Sequence, residues 1–285
     1  MPEITKVNFV VYPAHGRGFT ADASYIPDHT PKPVVVFVHG FKGFKDWGHF
    51  NLLSSYFAGQ GFVFIKLNFS HNGTSVADCS DMHDLEAFGR NNFCLELDDL
   101  GSLLDNLHTG DTPLPLQEIN LDRLYLIGHS RGGGSVILKA VEDKRVKAIA
   151  TWASVSDFDQ RWSPEVMEQW EKEGVQWIPN ARTGQQMPLY YQIVENYNAN
   201  KHRLHIPELV KNLRQPMLIL HGDVDETVPL LMAHDLKKRK PDAELHILPD
   251  TNHSFGGMHP YHESTLPAAA QQAANLTISF FRKHA

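Results

Sequence analysis

The chain has 285 residues, a formal net charge of −7 and 42% apolar residues, enough for one large α/β domain with a sizeable core or for two small domains. The acidic balance, and the lack of a basic stripe interleaved with aromatics, argue against a nucleic-acid partner. No run approaches the roughly 20 apolar residues of a spanning helix. The opening Met1-Pro2-Glu3-Ile4-Thr5-Lys6-Val7 lacks a signal-peptide h-region, so a cytoplasmic protein without a membrane partner is expected. Cys79 and Cys94 form neither a disulfide framework nor a metal site, and nothing bears on whether the chain is a monomer or a homodimer.

Short apolar runs alternate with longer amphipathic stretches, the βαβ rhythm of a mostly parallel sheet. Strands are predicted at Val7–Tyr12, Thr20–Ile26, Val34–Val38, Val63–Asn68, Arg123–Ile127, Ala148–Ala153, Met217–Leu220 and Leu245–Leu248. The first two, joined by Ala14-His15-Gly16-Arg17-Gly18, read as an antiparallel hairpin at one edge. Val34–Val38 is apolar throughout, as a central strand covered on both faces should be. Helical spacing predicts helices over about 47–59, 91–107, 131–142, 229–239 and 264–283. The basic run Lys237-Lys238-Arg239-Lys240 complements the end of the fourth.

Between about 154 and 206 the rhythm breaks. Ser163-Pro164-Glu165 starts a helix that Gly174 ends. Val175–Ile178 and Gln185–Leu189 flank Pro179-Asn180-Ala181-Arg182-Thr183-Gly184 as a short hairpin, and Leu189–Asn198 reads as another helix. The expected organisation is a core of residues 1–153 and 207–285 carrying an inserted lid at 154–206. The lid's aromatics Trp162, Trp170, Trp177, Tyr190 and Tyr191 either make its own small core or receive an apolar or aromatic substrate group.

The chemistry-bearing motif is Gly128-His129-Ser130-Arg131-Gly132, set between the apolar run Leu124-Tyr125-Leu126-Ile127 and a glycine-rich helix start. A strand turning sharply into a helix through Gly-x-Ser-x-Gly is a nucleophile elbow, which raises the serine hydroxyl above the sheet and aims helix amides at a forming oxyanion. The hydroxyl needs a base, and the base an acid to hold its tautomer. On this topology the acid and then the base follow the serine, on loops after later strands. Met217–Leu220 leads into His221-Gly222-Asp223-Val224-Asp225-Glu226-Thr227-Val228-Pro229, and Leu245–Leu248 into Pro249-Asp250-Thr251-Asn252-His253-Ser254-Phe255, in that order.

With His39-Gly40-Phe41 after the third predicted strand, the elbow, Asp225-Glu226-Thr227-Val228-Pro229 and Asn252-His253-Ser254-Phe255, the chain resembles the α/β-hydrolase superfamily. It is most similar to the dienelactone hydrolase and prolyl-oligopeptidase-like branch and to small serine carboxylesterases within it. The resemblance implies the α/β-hydrolase fold, a mostly parallel eight-stranded sheet flanked by helices with an inserted lid. It also implies Ser130 as nucleophile, Asp225 as acid and His253 as base, with an oxyanion hole made by the backbone N–H groups of Phe41 and Arg131. Asp223 is the rival acid, more readily a loop-organising aspartate, and Asp250 lies too close along the chain to His253 to orient it. His129 is expected to point into packing, His39 to fix the oxyanion loop by bonding backbone, and His259 and His262 to sit in a solvated loop.

The expected activity is hydrolysis of a small carboxylic ester through an acyl-enzyme, without a cofactor or metal. Phe41, Trp162, Trp177 and Tyr190 are the candidate substrate-binding residues. A serine peptidase or acylaminoacyl-type amidase, and a cofactor-free lyase or perhydrolase, fit the same scaffold. A binding protein of this fold would normally lack part of the triad, and a haloalkane dehalogenase would need Asp at position 130.

Overall fold

The computed structural model describes residues 3–159, 162–180 and 182–285. Eight strands form one sheet: β1 (Thr5–Val11), β2 (Phe19–Tyr25), β3 (Lys32–Val38), β4 (Val63–Leu67), β5 (Ile119–His129), β6 (Val146–Trp152), β9 (Met217–Gly222) and β10 (Glu244–Leu248). Their spatial order is β1-β2-β4-β3-β5-β6-β9-β10. β1 pairs antiparallel with β2 and β2 with β4, while every other pairing is parallel. The expected edge hairpin and mostly parallel sheet are therefore present.

The central strands are apolar throughout because both faces are covered. Val34, Val36 and Val38 face one side with Leu124 and Leu126 of β5, packing against α3 (Phe93–Thr109) and α4 (Arg131–Glu142). Val35, Phe37, Tyr125 and Ile127 face the other, against α1 (Phe50–Gly59) and α10 (Ala268–Lys283). α2 (Leu85–Arg90) and α9 (Leu231–Arg239) complete the helices outside the 154–206 stretch.

Element ends differ from the expected ones for local reasons. β5 begins four residues early, since Ile119 and Asn120 pair with Lys32 and Pro33 before a register break; its first half alternates Ile119 and Leu121 with polar residues and lacks the continuous apolar run of the second. The 91–107 helix begins at Phe93 because the Asn92 side chain caps it, accepting from Leu95 N at 3.0 Å. α1 starts at Phe50, α9 at Leu231 and α10 at Ala268, two to four residues after their expected starts. α2 is too short for a periodic pattern, though Asp84 caps it in the usual way by accepting from Ala87 N at 2.9 Å.

The stretch between β6 and β9 holds α5 (Pro164–Glu173), the antiparallel hairpin β7 (Val175–Pro179) and β8 (Gln186–Tyr190), α6 (Gln192–Ala199), and two single turns, α7 (Lys201–Leu204) and α8 (Ile206–Leu209). Ser163 caps α5, and Gly174 ends it with φ of 73°. Ala181 of the hairpin turn lies outside the described residues. Arg182 forms an ion pair with Asp81, Tyr190 Oη donates to Glu86 Oε2 at 2.6 Å, and Lys42 Nζ donates to Pro179 O at 3.2 Å. The hairpin is thereby fastened to the loops that follow β3 and β4 and to α2.

Candidate active site

In the sheet order the chain reverses direction at β3 and β5, which lie side by side although β4 separates them in sequence. Such a switch point opens a crevice outside the carboxyl ends of the strands. The loop after β3 and the turn after β5 meet there. Ser130 is the single residue between β5 and α4, at φ 57° and ψ −124°, a left-handed conformation that is strained for any side chain other than glycine. Its N–H donates to Trp152 O at 2.9 Å and its carbonyl accepts from Gly133 N at 3.0 Å. The turn tolerates no larger neighbours. A Cβ on Gly128 would lie 2.2 Å from Gly132 O, and one on Gly132 would lie 2.4 Å from Val38 O.

Ser130 lines a cleft of about 370 Å³ together with Gly40, Phe41, His129 and His253. Gly40 packs so closely that a Cβ there would fall 2.7 Å from Ser130 Cβ. The Arg131 amide opens α4, where helix amides and the macrodipole favour negative charge. The turn Gly40–Gly43, closed by Gly43 N donating to Gly40 O at 3.0 Å, carries Phe41 along the same cleft. His39 Nδ1–H donates to Gly40 O at 2.9 Å, so the expected backbone bond is present. Burial pushes this imidazole down to about 4 and keeps it neutral.

His253 sits in the loop after β10, and its Nδ1 lies 2.8 Å from Asp225 Oδ2. The other oxygen, Oδ1, accepts from the amides of Thr227 and Val228, each at 2.8 Å. Burial alone would raise the Asp225 carboxyl, but hydrogen bonds from His221, His253 and the Val228 amide outweigh it and hold the group well below the usual carboxylate range. Asp225 thus performs both jobs that the sequence divides between two residues, ordering its own loop and facing the histidine. Asp223 and Asp250 are exposed.

His129 does more than fill space. Its Nε2 donates to the backbone carbonyl of His253 at 2.9 Å, and the two rings lie 4.8 Å apart. Burial pushes His129 down to about 3, so it stays neutral while bracing that loop. His259 is half-buried instead of solvated. Its Nδ1 accepts from Gly48 N at 2.8 Å, and its ring packs on Phe44 and Trp47; His262 is exposed.

Phe41 and Arg131 line a second, smaller cavity of about 70 Å³ under the 154–206 stretch, where Trp162, Trp170 and Tyr197 supply facing walls. The Arg131 guanidinium lies 4.7 Å from the Phe41 ring centroid and 5.4 Å from that of Phe93. It forms an ion pair with buried Glu96. Phe41 borders both spaces, and Trp162 borders only the second. Trp177 is 57% exposed on the outside of the hairpin, and Tyr190 packs over Gly89 beside its bond to Glu86; neither borders the Ser130 cleft. Its apolar wall comes instead from Trp47, Phe50 and Met82. Trp47 stands just before α1, Phe50 at its start and Met82 in the loop before α2, and nothing in their spacing marks them as lining a cleft. Asn180 and Arg182 of the hairpin close the far side.

Among the described residues no group of three or more His, Cys, Asp or Glu is arranged to hold a metal ion, Cys79 and Cys94 are unbridged, and no helix is long and apolar enough to cross a membrane.

Solved structures similar to this one span almost its full length. The esterase domain of a Rhodothermus marinus protein is 19% identical, with 99% of each chain covered and a TM-score of 0.64. Est1E from Butyrivibrio proteoclasticus, solved with ferulic acid bound, is 17% identical over 99% of this chain and 96% of its own, with a TM-score of 0.66. A puromycin-hydrolyzing peptidase of Mycobacterium tuberculosis is 16% identical over 98% of this chain but only 39% of its own, at 0.64. At these identities the likeness establishes the α/β-hydrolase fold. No curated protein matches the sequence. The model of the prolyl oligopeptidase family matches residues 115–270, more than half the chain and the part that carries Ser130, Asp225 and His253, and the chain belongs to that family.

Proposed function

We propose that the protein is a serine hydrolase that cleaves a small carboxylic ester through an acyl-enzyme, with Ser130 as nucleophile, His253 as general base and Asp225 as the acid that orients it. The observation that carries this reading is the elbow conformation of Ser130 in one cleft with His253, whose far nitrogen is engaged by a buried carboxylate. Ser130 Oγ attacks the carbonyl carbon while His253 Nε2 takes its proton. The tetrahedral oxyanion accepts hydrogen bonds from the Phe41 and Arg131 amides, each donor contributing about 3 kcal/mol. His253 then protonates the departing alkoxide. Water, deprotonated by the same imidazole, attacks the acyl-enzyme, and the imidazolium returns the proton to Ser130 Oγ as the acid leaves.

A cleft of about 370 Å³ suits a small ligand. Phe41, which borders both spaces, would receive the acyl group with Trp162 on the side of the second, and the 154–206 stretch would act as a lid, since its hairpin borders the cleft. Trp177 and Tyr190 would act only through that hairpin's position. The family match favours a second reading, in which the scissile bond is a peptide or acylaminoacyl amide. Labelling with a fluorophosphonate, followed by a panel of acyl and aryl esters beside peptide amides, tests both. Ser130 should take the label, Ser130→Ala should not, and esters should turn over faster than amides. An unlabelled, folded wild-type protein would overturn the proposal.

A further inference from the structure

Asp225 Oδ2 faces two imidazoles. Besides His253, the ring of His221 at the carboxyl end of β9 brings its Nε2 to 3.3 Å from this oxygen and 2.9 Å from Val228 O. A carbonyl only accepts, so Nε2 carries the proton. That N–H bonds the backbone of the acid loop, and the acid's own oxygen lies within 3.3 Å of the same nitrogen. The His221 side chain and the Asp225 carboxylate are both fully shielded from solvent, and His221 Nδ1 is buried without a partner. Everything the ring does with its polar atoms is therefore done through Nε2–H. The next residue fixes the neighbouring loop as well, for a Cβ on Gly222 would lie 1.9 Å from Thr251 O, two residues before His253.

We infer that His221 is a positioning residue for the hydrolytic site: its Nε2–H pins Asp225 Oδ2 at the point where that oxygen receives His253 Nδ1–H. The inference rests on the triad proposed above. Without the His221 donor the carboxylate keeps its two amide bonds through Oδ1, but Oδ2 is free to swing away from the His253 axis. The cost falls on proton transfer from Ser130 and not on substrate binding.

The test uses p-nitrophenyl acetate turnover, the rate of fluorophosphonate labelling at Ser130 and thermal melting, on wild type, His221→Leu, His221→Gln, Asp225→Asn and the double variant His221→Leu/Asp225→Asn. Glutamine places an N–H the same number of bonds from the backbone as His Nε2. His221→Leu should lose about tenfold in kcat, with the same loss in labelling rate and KM within twofold. His221→Gln should recover to within threefold of wild type, and in the Asp225→Asn background the leucine change should cost nothing further. A folded His221→Leu with wild-type kcat, equal losses in the leucine and glutamine variants, or full additivity with Asp225→Asn would each overturn the inference. Should the leucine variant fail to fold, a tenfold loss in the glutamine variant overturns it and near wild-type kcat supports it. An Asp225→Asn protein with wild-type kcat would sink the triad itself and the inference with it, a result distinct from failure at His221 alone.

Discussion

Gly40→Ala is the sharpest probe of the contact between the β3–α1 loop and Ser130. A methyl carbon at this position stands 2.7 Å from Ser130 Cβ and 3.1 Å from His129 O. Carbon pairs rest at about 3.5 Å or more, so either the loop or the elbow must retreat by about 0.8 Å. Neither neighbour is the loose end of a flexible side chain. The retreat therefore separates Ser130 from the Phe41 amide or tilts Oγ away from His253. Misplacement on the order of 1 Å costs about a hundredfold in rate, equivalent to about 2.7 kcal/mol, while overpacking takes about 1–3 kcal/mol of stability. The assay is kcat on p-nitrophenyl acetate with a melting curve. Gly59→Ala serves as control, because a Cβ there meets nothing within 4 Å. A folded Gly40→Ala enzyme with kcat within threefold of wild type would refute the reasoning.

Replacing Asp225 by Asn should lower kcat by about 10⁴-fold while leaving the fold intact; steady-state kinetics checks this. Glu96→Gln strips the buried Arg131 guanidinium of its carboxylate and should cost about 3–5 kcal/mol in chemical denaturation, with Ser130 remaining labelled in the folded fraction. Burial pushes His39 and His49 down to about 4 and His129 down to about 3, against about 6.5 when unfolded. The unfolded chain thus binds more protons across that window, so stability rises with pH through it and is lost as pH falls from about 6.5 toward 4. Each imidazole contributes a slope of up to about 1.4 kcal/mol per pH unit, and a melting temperature flat from pH 7 to 5 would contradict it.

Much of this molecule is written locally. The apolar run of β3, the alternating faces of β5 and the glycines around Ser130 each state their own conformation, and the order of loops after β9 and β10 places Asp225 before His253 along the chain. Contacts made only on folding are not legible in this way. Nothing near His129 in the chain says that its Nε2 reaches the His253 carbonyl, 124 residues away. Trp177 and Tyr190 look alike in sequence to residues that could line a pocket, yet on folding one is left 57% exposed and the other bonds Glu86. Seventeen histidines dilute any single one, and His221 becomes conspicuous only when its ring is found against Asp225.

β6 and β9 are bonded neighbours, Ile149 opposite Met217, although the whole α5–α8 excursion lies between them. Their ladder fixes where the excursion leaves the sheet and where it returns, whatever its length. Closing a longer loop between fixed ends adds only about 0.6 kcal/mol per doubling. Evolution can therefore rebuild, lengthen or trim that excursion almost independently of strand order, while the sheet beneath stays in register.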